Sequence, residues 1–167
     1  ESYLPNKGNK IYVNELAYEM GFRNGDEILS FDDYIPEDFG MLQADLARQT
    51  ASKAKVLRDG DTVNIYIDHS MIGQVLNTPG MFDLALPFKV QSVSETSPNA
   101  GLDVRKGDMV ITVAGEEVNY VQEAWPILEK HPGEEIAVAF LRDADTVTLD
   151  MAVDTTGRLG VLLMQPD

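Results

Sequence analysis

The sequence contains no cysteine and few basic residues, and each shortage excludes a class of function. Without cysteine among its 167 residues, the chain has neither disulfides nor thiolate metal sites. Thirteen Lys and Arg residues stand against 28 Asp and Glu residues, so the formal net charge is −15. Such a chain repels a phosphate backbone, and we therefore expect no nucleic-acid partner. We interpret the acidity as favouring solubility.

Long apolar runs and catalytic motifs are also missing. No apolar run approaches the ~18 residues that a membrane span requires, and no signal peptide is visible. The sequence has no Gly-x-Ser-x-Gly, no glycine-rich phosphate loop and no cysteine nucleophile. Its two histidines, His69 and His131, have no helical partner four residues away, which excludes an HExxH zinc site. We expect this segment to be non-catalytic and to hold no cofactor.

Two sets of matching residues indicate that one unit occurs twice. Gly25-Asp26 matches Gly107-Asp108, and residues 56–63 match residues 140–147 at nearly the same spacing. Residues 56–63 and 140–147 each predict a β-hairpin with an Asp-rich turn, followed by alternating apolar residues. The repeat predicts two domains. The first comprises residues 1–86, with an irregular N-terminal part, and the second comprises residues 87–167.

The second unit begins with a turn and a strand. Ser97 can cap a single helical turn over residues 97–101. Residues 109–114 predict a strand with Met109, Ile111 and Val113 on one face. Each unit then carries a helix and ends in a further strand, at residues 82–86 and 159–163.

The helices are predicted from capping residues and from apolar spacing. Asp38 can cap a helix over residues 39–48, with Phe39, Leu42 and Leu46 along one side. Asn119 can cap a second helix that runs to Lys130. Its apolar stripe consists of Val121, Ala124, Trp125 and Leu128. Pro126 lies inside this helix and should kink it or delay its start.

The order of these elements resembles two consecutive PDZ domains in the circularly permuted bacterial form, in which the peptide-binding strand comes last. The resemblance rests on Gly21-Phe22 with residues 25–28, and on residues 100–102 with residues 107–110. It implies a mainly β fold with short helices (α+β). The implied architecture is a pair of PDZ-like, partly open β-barrels or sandwiches, each capped by helices.

The resemblance also implies where a peptide would bind. The carboxylate-binding loop of such domains is an apolar-Gly-apolar tripeptide, which Leu159-Gly160-Val161 fits, with Arg158 before it. Leu162 and Leu163 complete the strand, and Val121, Trp125 and Leu128 form the opposite wall. Because one helix face cannot both fill the core and line a groove, some of these three are expected in the core.

The first unit departs from the tripeptide pattern. At the corresponding place we align Phe82-Asp83-Leu84, which puts an acid where glycine is expected. The Asp adds a side chain and a like charge where backbone N–H groups should face a carboxylate. We therefore expect the groove of the first unit, with Leu42 and Leu46 on its helix, to be degenerate and not to bind a free C-terminus.

Permuted PDZ pairs without an intervening domain resemble the periplasmic loop of the bacterial site-2 protease family, which includes the regulator of sigma-E protease. The resemblance implies that the parent is an inner-membrane zinc metalloprotease acting in regulated intramembrane proteolysis. Its zinc lies in a membrane helix outside this segment. The implied partners are a trimmed substrate polypeptide, such as an anti-sigma factor, or its new C-terminus, and the membrane-embedded protease domain of the same chain.

Three functions remain open for the segment. It can bind the C-terminus of a trimmed substrate, or it can act as a steric gate over a membrane active site. Alternatively, it is a C-terminal peptide-binding PDZ pair of a trypsin-like periplasmic quality-control serine protease.

Overall fold

The computed structural model describes residues 3–165, which fold mainly as β-strands with a few short helices. This confirms the predicted fold class. The chain divides into two compact units, Glu1–Ala85 and Leu86–Asp167. Among the described residues, the strands form open sheets of two, four, two and three strands, and no sheet closes into a barrel.

The described part of the first unit contains five strands, two α-helices and two 3₁₀ helices. A two-stranded antiparallel sheet pairs its first and last strands, and a three-stranded antiparallel sheet pairs the other three. In chain order the elements are β1 (Ile11–Val13), α1 (Glu15–Met20), β2 (Glu27–Phe31), a 3₁₀ helix (Phe39–Met41), α2 (Leu42–Gln49), β3 (Lys53–Arg58), β4 (Asp61–Tyr66), a second 3₁₀ helix (His69–Asn77) and β5 (Phe82–Leu84).

Local sequence explains where the helices of the first unit begin and end. The Asn14 side chain accepts a hydrogen bond from the Ala17 N–H, and Gly21 ends α1 with a φ of 120°. Asp38 caps the next helical segment by accepting from the Gly40 N–H at 3.0 Å. That segment begins as a 3₁₀ helix and continues as α2, and its predicted apolar side, with Phe39, Leu42 and Leu46, is buried in the core.

The second unit contains six strands and one helix. A four-stranded sheet has the order β10-β9-β7-β8, and β11 pairs with β6 in a sheet of two strands. The elements are β6 (Val90–Val93), β7 (Met109–Val113), β8 (Glu116–Glu117), α3 (Val121–Leu128), β9 (Glu135–Arg142), β10 (Asp145–Ala152) and β11 (Val161–Leu163). The strand beside β6 is thus the last in the chain, as the permuted order predicts.

Both predicted hairpins are present, and each has a two-residue loop. Arg58 pairs with Asp61 across the first loop, and Arg142 pairs with Asp145 across the second. Asp59 and Gly60 both have positive φ values, 52° and 84°, which are the backbone angles of the tight turns preferred in hairpins.

The predicted face of β7 is wrong because the strand contains a bulge. The pairing of β7 with β9 shifts between Val110 and Thr112, so the alternation of faces is interrupted. Val110 and Val113 are buried in the core, whereas Met109 and Ile111 are half-buried. The equivalent strand β2 has the same irregularity.

Two further predictions in the second unit require correction. Residues 97–101 form successive hydrogen-bonded turns rather than a helical turn, with the Ala100 N–H donating to the Ser97 carbonyl. Helix α3 has Tyr120 rather than Asn119 as its N-cap residue and ends at Leu128. The Glu123 carboxylate accepts the Asn119 N–H at 2.6 Å, which satisfies the backbone just before the helix. Pro126 lies inside α3 without delaying its start.

Each unit has a buried carboxylate paired with an arginine from the end of a hairpin strand. Asp26 accepts two hydrogen bonds from Arg58, and Asp108 accepts two from Arg142, all at 2.8–2.9 Å. Each Asp also accepts the backbone N–H three residues before it. These contacts explain the repeated Gly-Asp and hairpin patterns of the sequence. The guanidinium of Arg142 lowers the pKa of Asp108.

Candidate functional site

The main candidate site is an apolar pocket of about 340 Å³ in the second unit, between β11 and α3. We call the cleft between these two elements the groove. Seven of the nine residues predicted for this groove line the pocket. The full lining consists of Phe88, Trp125, Leu128, Arg158, Leu159, Gly160, Val161 and Leu163.

The two remaining predicted residues do not line the pocket. Val121 is 1% exposed and belongs to the core of the second unit. It therefore packs in the core and does not line the groove. Leu162 is 56% exposed. It lies between Val161 and Leu163 on β11, and alternate side chains of a strand point to opposite faces. Phe88, which the sequence predictions missed, precedes β6 and is buried beneath the pocket.

The edge of β11 that faces away from β6 has no strand paired to it in the described part of the chain. The Gly160 carbonyl accepts from the Ser94 N–H, and the Met164 N–H donates to the Lys89 carbonyl, both at 2.8 Å. Backbone groups alternate in direction along an antiparallel strand. The N–H and C=O groups of Val161 and Leu163 therefore point to the open edge, where an extended chain can pair.

At the start of β11, two side chains hold one carbonyl oxygen. Ser97 Oγ donates to the Leu159 carbonyl at 2.8 Å, and Asn99 Nδ2 donates to the same oxygen at 2.9 Å. Because a trans peptide is planar, the N–H of Gly160 points in the opposite direction to this carbonyl. No acceptor for the Gly160 N–H is found within residues 3–165.

Gly160 occupies a position that tolerates no side chain. Its φ is 73°, in the left-handed region. A Cβ there would lie 2.5 Å from Ser97 Cβ and 2.6 Å from Ser97 Oγ. The glycine of the predicted tripeptide is therefore required both by its backbone angle and by the close approach of Ser97.

The loop before Gly160 is shaped by Asp154. Its carboxylate accepts from the Thr156 hydroxyl at 2.6 Å, from the Thr156 N–H at 2.9 Å and from the Arg158 N–H at 2.9 Å. These bonds, chiefly that from the Thr156 hydroxyl, lower the pKa of Asp154. Asp154 thus fixes the backbone that leads into the groove.

Arg158 is the cation beside the pocket. Its guanidinium carbon lies 5.5 Å from the centre of the Trp125 ring, and its Nη1 lies 3.5 Å from Glu129 Oε2. The side chain is about half exposed. An exposed pair at this distance is weak, so a ligand carboxylate can compete with Glu129 for Arg158. Trp125, 38% exposed, is available beside it.

Hydrogen bonding shows which residues of the first unit correspond to this site. The Ser94 N–H donates to the Gly160 carbonyl, and in the first unit the Asn14 N–H donates to the Met81 carbonyl. Met81 therefore corresponds to Gly160. In the same register Leu84 pairs with Ile11 of β1 as Leu163 pairs with Val90 of β6, so Asp83 corresponds to Leu162. The predicted alignment of Asp83 with Gly160 is wrong by two residues.

The first unit fills this region with its own atoms. Gln43 on α2 donates to the carbonyls of Val75 and Thr78, and its Oε1 accepts the Met81 N–H at 3.2 Å. The Met81 side chain is fully buried. The other residues predicted for this groove are placed as follows: Leu42 and Leu46 lie in the core, Phe82 and Leu84 pack against it, and Asp83 is exposed.

The groove residues that sequence reasoning missed come from distant parts of the chain. Asn99 is 1% exposed, although asparagine in a turn is usually found at the surface. Its partner Leu159 is 60 residues away. The apolar-Gly-apolar tripeptide signals the loop, but no local pattern signals the side chains that hold it.

Comparison with known proteins finds similarity to one family across most of the second unit. Residues 76–153 match the family model of the PDZ domain. The chain is 27% identical, over 91% of its length, to a protein of Neisseria meningitidis serogroup A named "Putative zinc metalloprotease". The chain spans 38% of the length of that relative.

Two solved structures also match part of the chain. The PDZ domain of an SdrC-like protein from Listeria monocytogenes is 20% identical, with a TM-score of 0.39 over 45% of this chain and 84% of that one. A solution structure from Geobacillus thermodenitrificans is 24% identical, with a TM-score of 0.36 over 41% of this chain and 79% of that one.

Two kinds of feature are absent from the described residues. Between Tyr3 and Gln165, no group of three or more His, Asp or Glu side chains is arranged to hold a metal ion. In the same part of the chain, no helix has the length and apolarity needed to cross a bilayer.

Proposed function

We propose that the second unit, most of which matches the PDZ model, captures the free C-terminus of an extended polypeptide in its groove. The observation that carries this proposal is the direction of the Gly160 N–H. It points away from the carbonyl that Ser97 and Asn99 hold, and it has no acceptor within residues 3–165. A carboxylate is a strong acceptor for such a group.

The rest of the groove fits a chain that ends there. An extended peptide can add to the open edge of β11, with backbone hydrogen bonds to Val161 and Leu163. Its last side chain then enters the apolar pocket against Phe88 and Leu128. Arg158 supplies a positive charge beside the terminal carboxylate. We infer a preference for an apolar C-terminal residue.

We further propose that the segment belongs to a membrane zinc metalloprotease and faces the periplasm. The name of the Neisseria relative and the 91% of this chain that it matches support the zinc metalloprotease part of this proposal. The zinc would lie in the protease domain of the parent chain, because the described residues here offer no metal site. The groove would then select substrates whose new C-termini have been exposed by an earlier cut, such as trimmed anti-sigma factors.

A second role is proposed for the first unit, as a diverged PDZ-like copy that acts by its shape. Gln43 already accepts the Met81 N–H, and buried Met81 stands where the second unit has Gly160. With that N–H occupied, the first unit offers no site for a carboxylate. A unit of this kind can exclude bulky substrates from a membrane active site without binding them.

The groove can be tested by fluorescence, because Trp125 is the single tryptophan of the chain. We would titrate the protein with peptides that end in Leu or Val, as free acids and as C-terminal amides. We expect saturable binding of the acids with a dissociation constant below one millimolar, and amides at least about tenfold weaker, as expected when charge-assisted bonds are lost.

A matched pair of variants localises the signal. Leu162→Asp changes an exposed residue on the far side of β11 and should bind like the wild type. Gly160→Asp places a side chain against Ser97 and should abolish binding. If acids and amides bind equally, or if Gly160→Asp binds normally, the groove is not a carboxylate site.

The location is tested separately in cells. Since this segment has no cysteine, we would replace the exposed Leu76 by cysteine in a full-length parent lacking other cysteines. A membrane-impermeant maleimide should label intact spheroplasts as fully as permeabilised ones. Labelling only after permeabilisation would place the segment on the cytoplasmic side.

A further inference from the structure

We propose that Ser97 and Asn99 are positioning residues, which orient the Leu159–Gly160 peptide for the ligand carboxylate without touching the ligand. This inference rests on the proposed function of the groove. Both side chains donate to the same oxygen, the Leu159 carbonyl, at 2.8 and 2.9 Å. A carbonyl oxygen has two lone pairs, so this pair of donors satisfies it completely.

Asn99 is held rigidly from the other side. Its Nδ2 donates to the Ala152 carbonyl and its Oδ1 accepts the Ala152 N–H, both at 2.8 Å. The N–H contact requires the oxygen of the amide on that side, which leaves Nδ2 to reach Leu159. Asn99 therefore links the end of β10 to the loop that begins β11.

The direction of the Ser97 hydroxyl is set in the same way. Ser97 Oγ accepts the Asn99 N–H at 3.0 Å, so its own proton is free to serve the Leu159 carbonyl. The side chain also packs against Gly160, where a Cβ would meet it at 2.5 Å. Ser97 thus holds the peptide by a hydrogen bond and limits its rotation by contact.

The consequence for the ligand follows from peptide geometry. A rotation of the Leu159–Gly160 peptide that released the carbonyl would turn the Gly160 N–H away from the groove, because the two groups are fixed antiparallel. Holding the carbonyl in advance removes that freedom before binding, which favours affinity. A carboxylate, whose charge strengthens its hydrogen bond to the N–H, should gain more from this arrangement than the weaker amide carbonyl.

The test compares free-acid and amidated peptides with the same apolar C-terminal residue, using Trp125 fluorescence. Ser97→Ala removes one donor and should weaken acid binding about fivefold, as expected for one hydrogen bond, while amide binding changes less than twofold. Asn99→Asp removes the other donor while keeping an acceptor for the Ala152 N–H, and should have the same signature.

Two controls separate positioning from general stability. Ser94→Ala removes a hydroxyl from the same turn that bonds Thr96 and not Leu159, so the acid-to-amide ratio should remain that of the wild type. Ser97→Thr keeps the hydroxyl and should retain most of the ratio. Urea unfolding of each variant measures stability independently.

The outcomes distinguish the two proposals. If the wild type itself binds acids and amides equally, the proposed function fails, and this inference falls with it. If the wild type discriminates but Ser97→Ala and Asn99→Asp keep the full ratio, the groove stands and the positioning role is refuted. A ratio that collapses in both variants and not in Ser94→Ala supports the role.

Discussion

In the second unit Gly160 lines an apolar pocket and its N–H has no acceptor in the described chain, whereas in the first unit the corresponding Met81 N–H donates to Gln43. The strands that follow these groups both pair antiparallel, β11 with β6 and β5 with β1, although only the β11–β6 pairing contains a register shift. The difference lies in what stands next to the strand. In the second unit an open pocket lies beside α3. In the first unit Gln43 on α2 is hydrogen-bonded to Thr78, just after the second 3₁₀ helix.

The two units agree where the fold requires it. Arg58 makes two bonds to the Asp26 carboxylate, and Arg142 makes the same two bonds to Asp108. The strand after each acid carries the same bulge. This comparison separates the residues that build the unit from those that make a groove. The following changes test that separation, and they are ordered by the size of the expected effect.

The largest effect is expected from the shared acids. Asp108→Ala and Asp26→Ala each leave an arginine and a backbone N–H without a buried acceptor. We expect each to lower the free energy of unfolding by about 2–4 kcal/mol, slightly less than for a fully buried pair because each guanidinium is partly exposed. Asp26→Ala should be at least as severe, because Arg142 keeps a second carboxylate partner, Asp103, at 3.4 Å. Chemical denaturation measures both.

The control for the acids is Asp103→Ala, which removes an exposed partner and should change the free energy of unfolding far less than either buried acid. The pH dependence gives an independent check. Arg142 lowers the pKa of Asp108 in the folded state, so its stabilising contribution is full above the unfolded pKa and is lost as pH falls through the lower folded pKa. A loss that began on the alkaline side would contradict this.

The second prediction compares two glycines with the same backbone angle. Gly160 and Gly80 both have a φ of 73°. An alanine at Gly80 meets nothing within 4 Å, whereas at Gly160 it meets Ser97. Gly80→Ala should cost about 1–2 kcal/mol of stability from the backbone angle alone. Gly160→Ala should cost about 1–3 kcal/mol more and abolish binding of free-acid peptides. Equal losses of stability in the two variants would show that the Ser97 side chain moves away from the new Cβ at little cost.

Sequence patterns predicted the features of this molecule that depend on neighbouring residues. Two examples are the hairpin loop of Asp59 and Gly60 and the end of α1 at Gly21. Both depend only on positive φ angles, which Asp and Gly adopt readily. The buried face of β7 was mispredicted because one bulge residue shifts the alternation of side chains. The residues around Ile111 contain no sequence signal for this bulge.

The groove could be predicted only in part, for a different reason. Leu159-Gly160-Val161 is a local pattern and was found. The alignment of Asp83 with Gly160 was wrong because it matched two tripeptides by the apolar character of their outer residues. The register of β5 against β1 decides which residues correspond. The bonds from Gln43 to Thr78 and from Asn99 to Leu159 span 35 and 60 residues. Such contacts arise from the tertiary fold, which periodicity does not specify.

The third prediction concerns Gln43, whose side chain links α2 to the segment before β5 in the first unit. Gln43→Ala leaves the carbonyls of Val75 and Thr78 and the Met81 N–H without this partner. We expect a loss of about 1–3 kcal/mol in stability, the usual penalty for unsatisfied buried groups. Peptide binding measured by Trp125 fluorescence should stay within twofold of the wild type. Gln49→Ala, at the exposed end of α2, is the matched control and should change neither quantity.

The smallest effect is expected from two exposed acids that shape loops, one in each unit. Asp154 bonds Thr156 and the Arg158 N–H before the groove, and Asp68 caps the second 3₁₀ helix through the Ser70 N–H. These bonds lower the pKa of both acids. Both contributions are therefore present above the unfolded pKa and lost as pH falls through the folded value, in the acid range below about 4.

The paired variants distinguish what these two loops do. At neutral pH, Asp154→Ala should weaken binding of free-acid peptides about two- to threefold, because the backbone entering Gly160 becomes less ordered before binding. Asp68→Ala should leave binding unchanged, since the loop that it caps belongs to the unit whose corresponding N–H is already occupied. If both variants weakened the binding of free-acid peptides equally, the first unit would contribute to peptide capture. The difference between the Gly160 and Met81 sites would then not decide which unit binds.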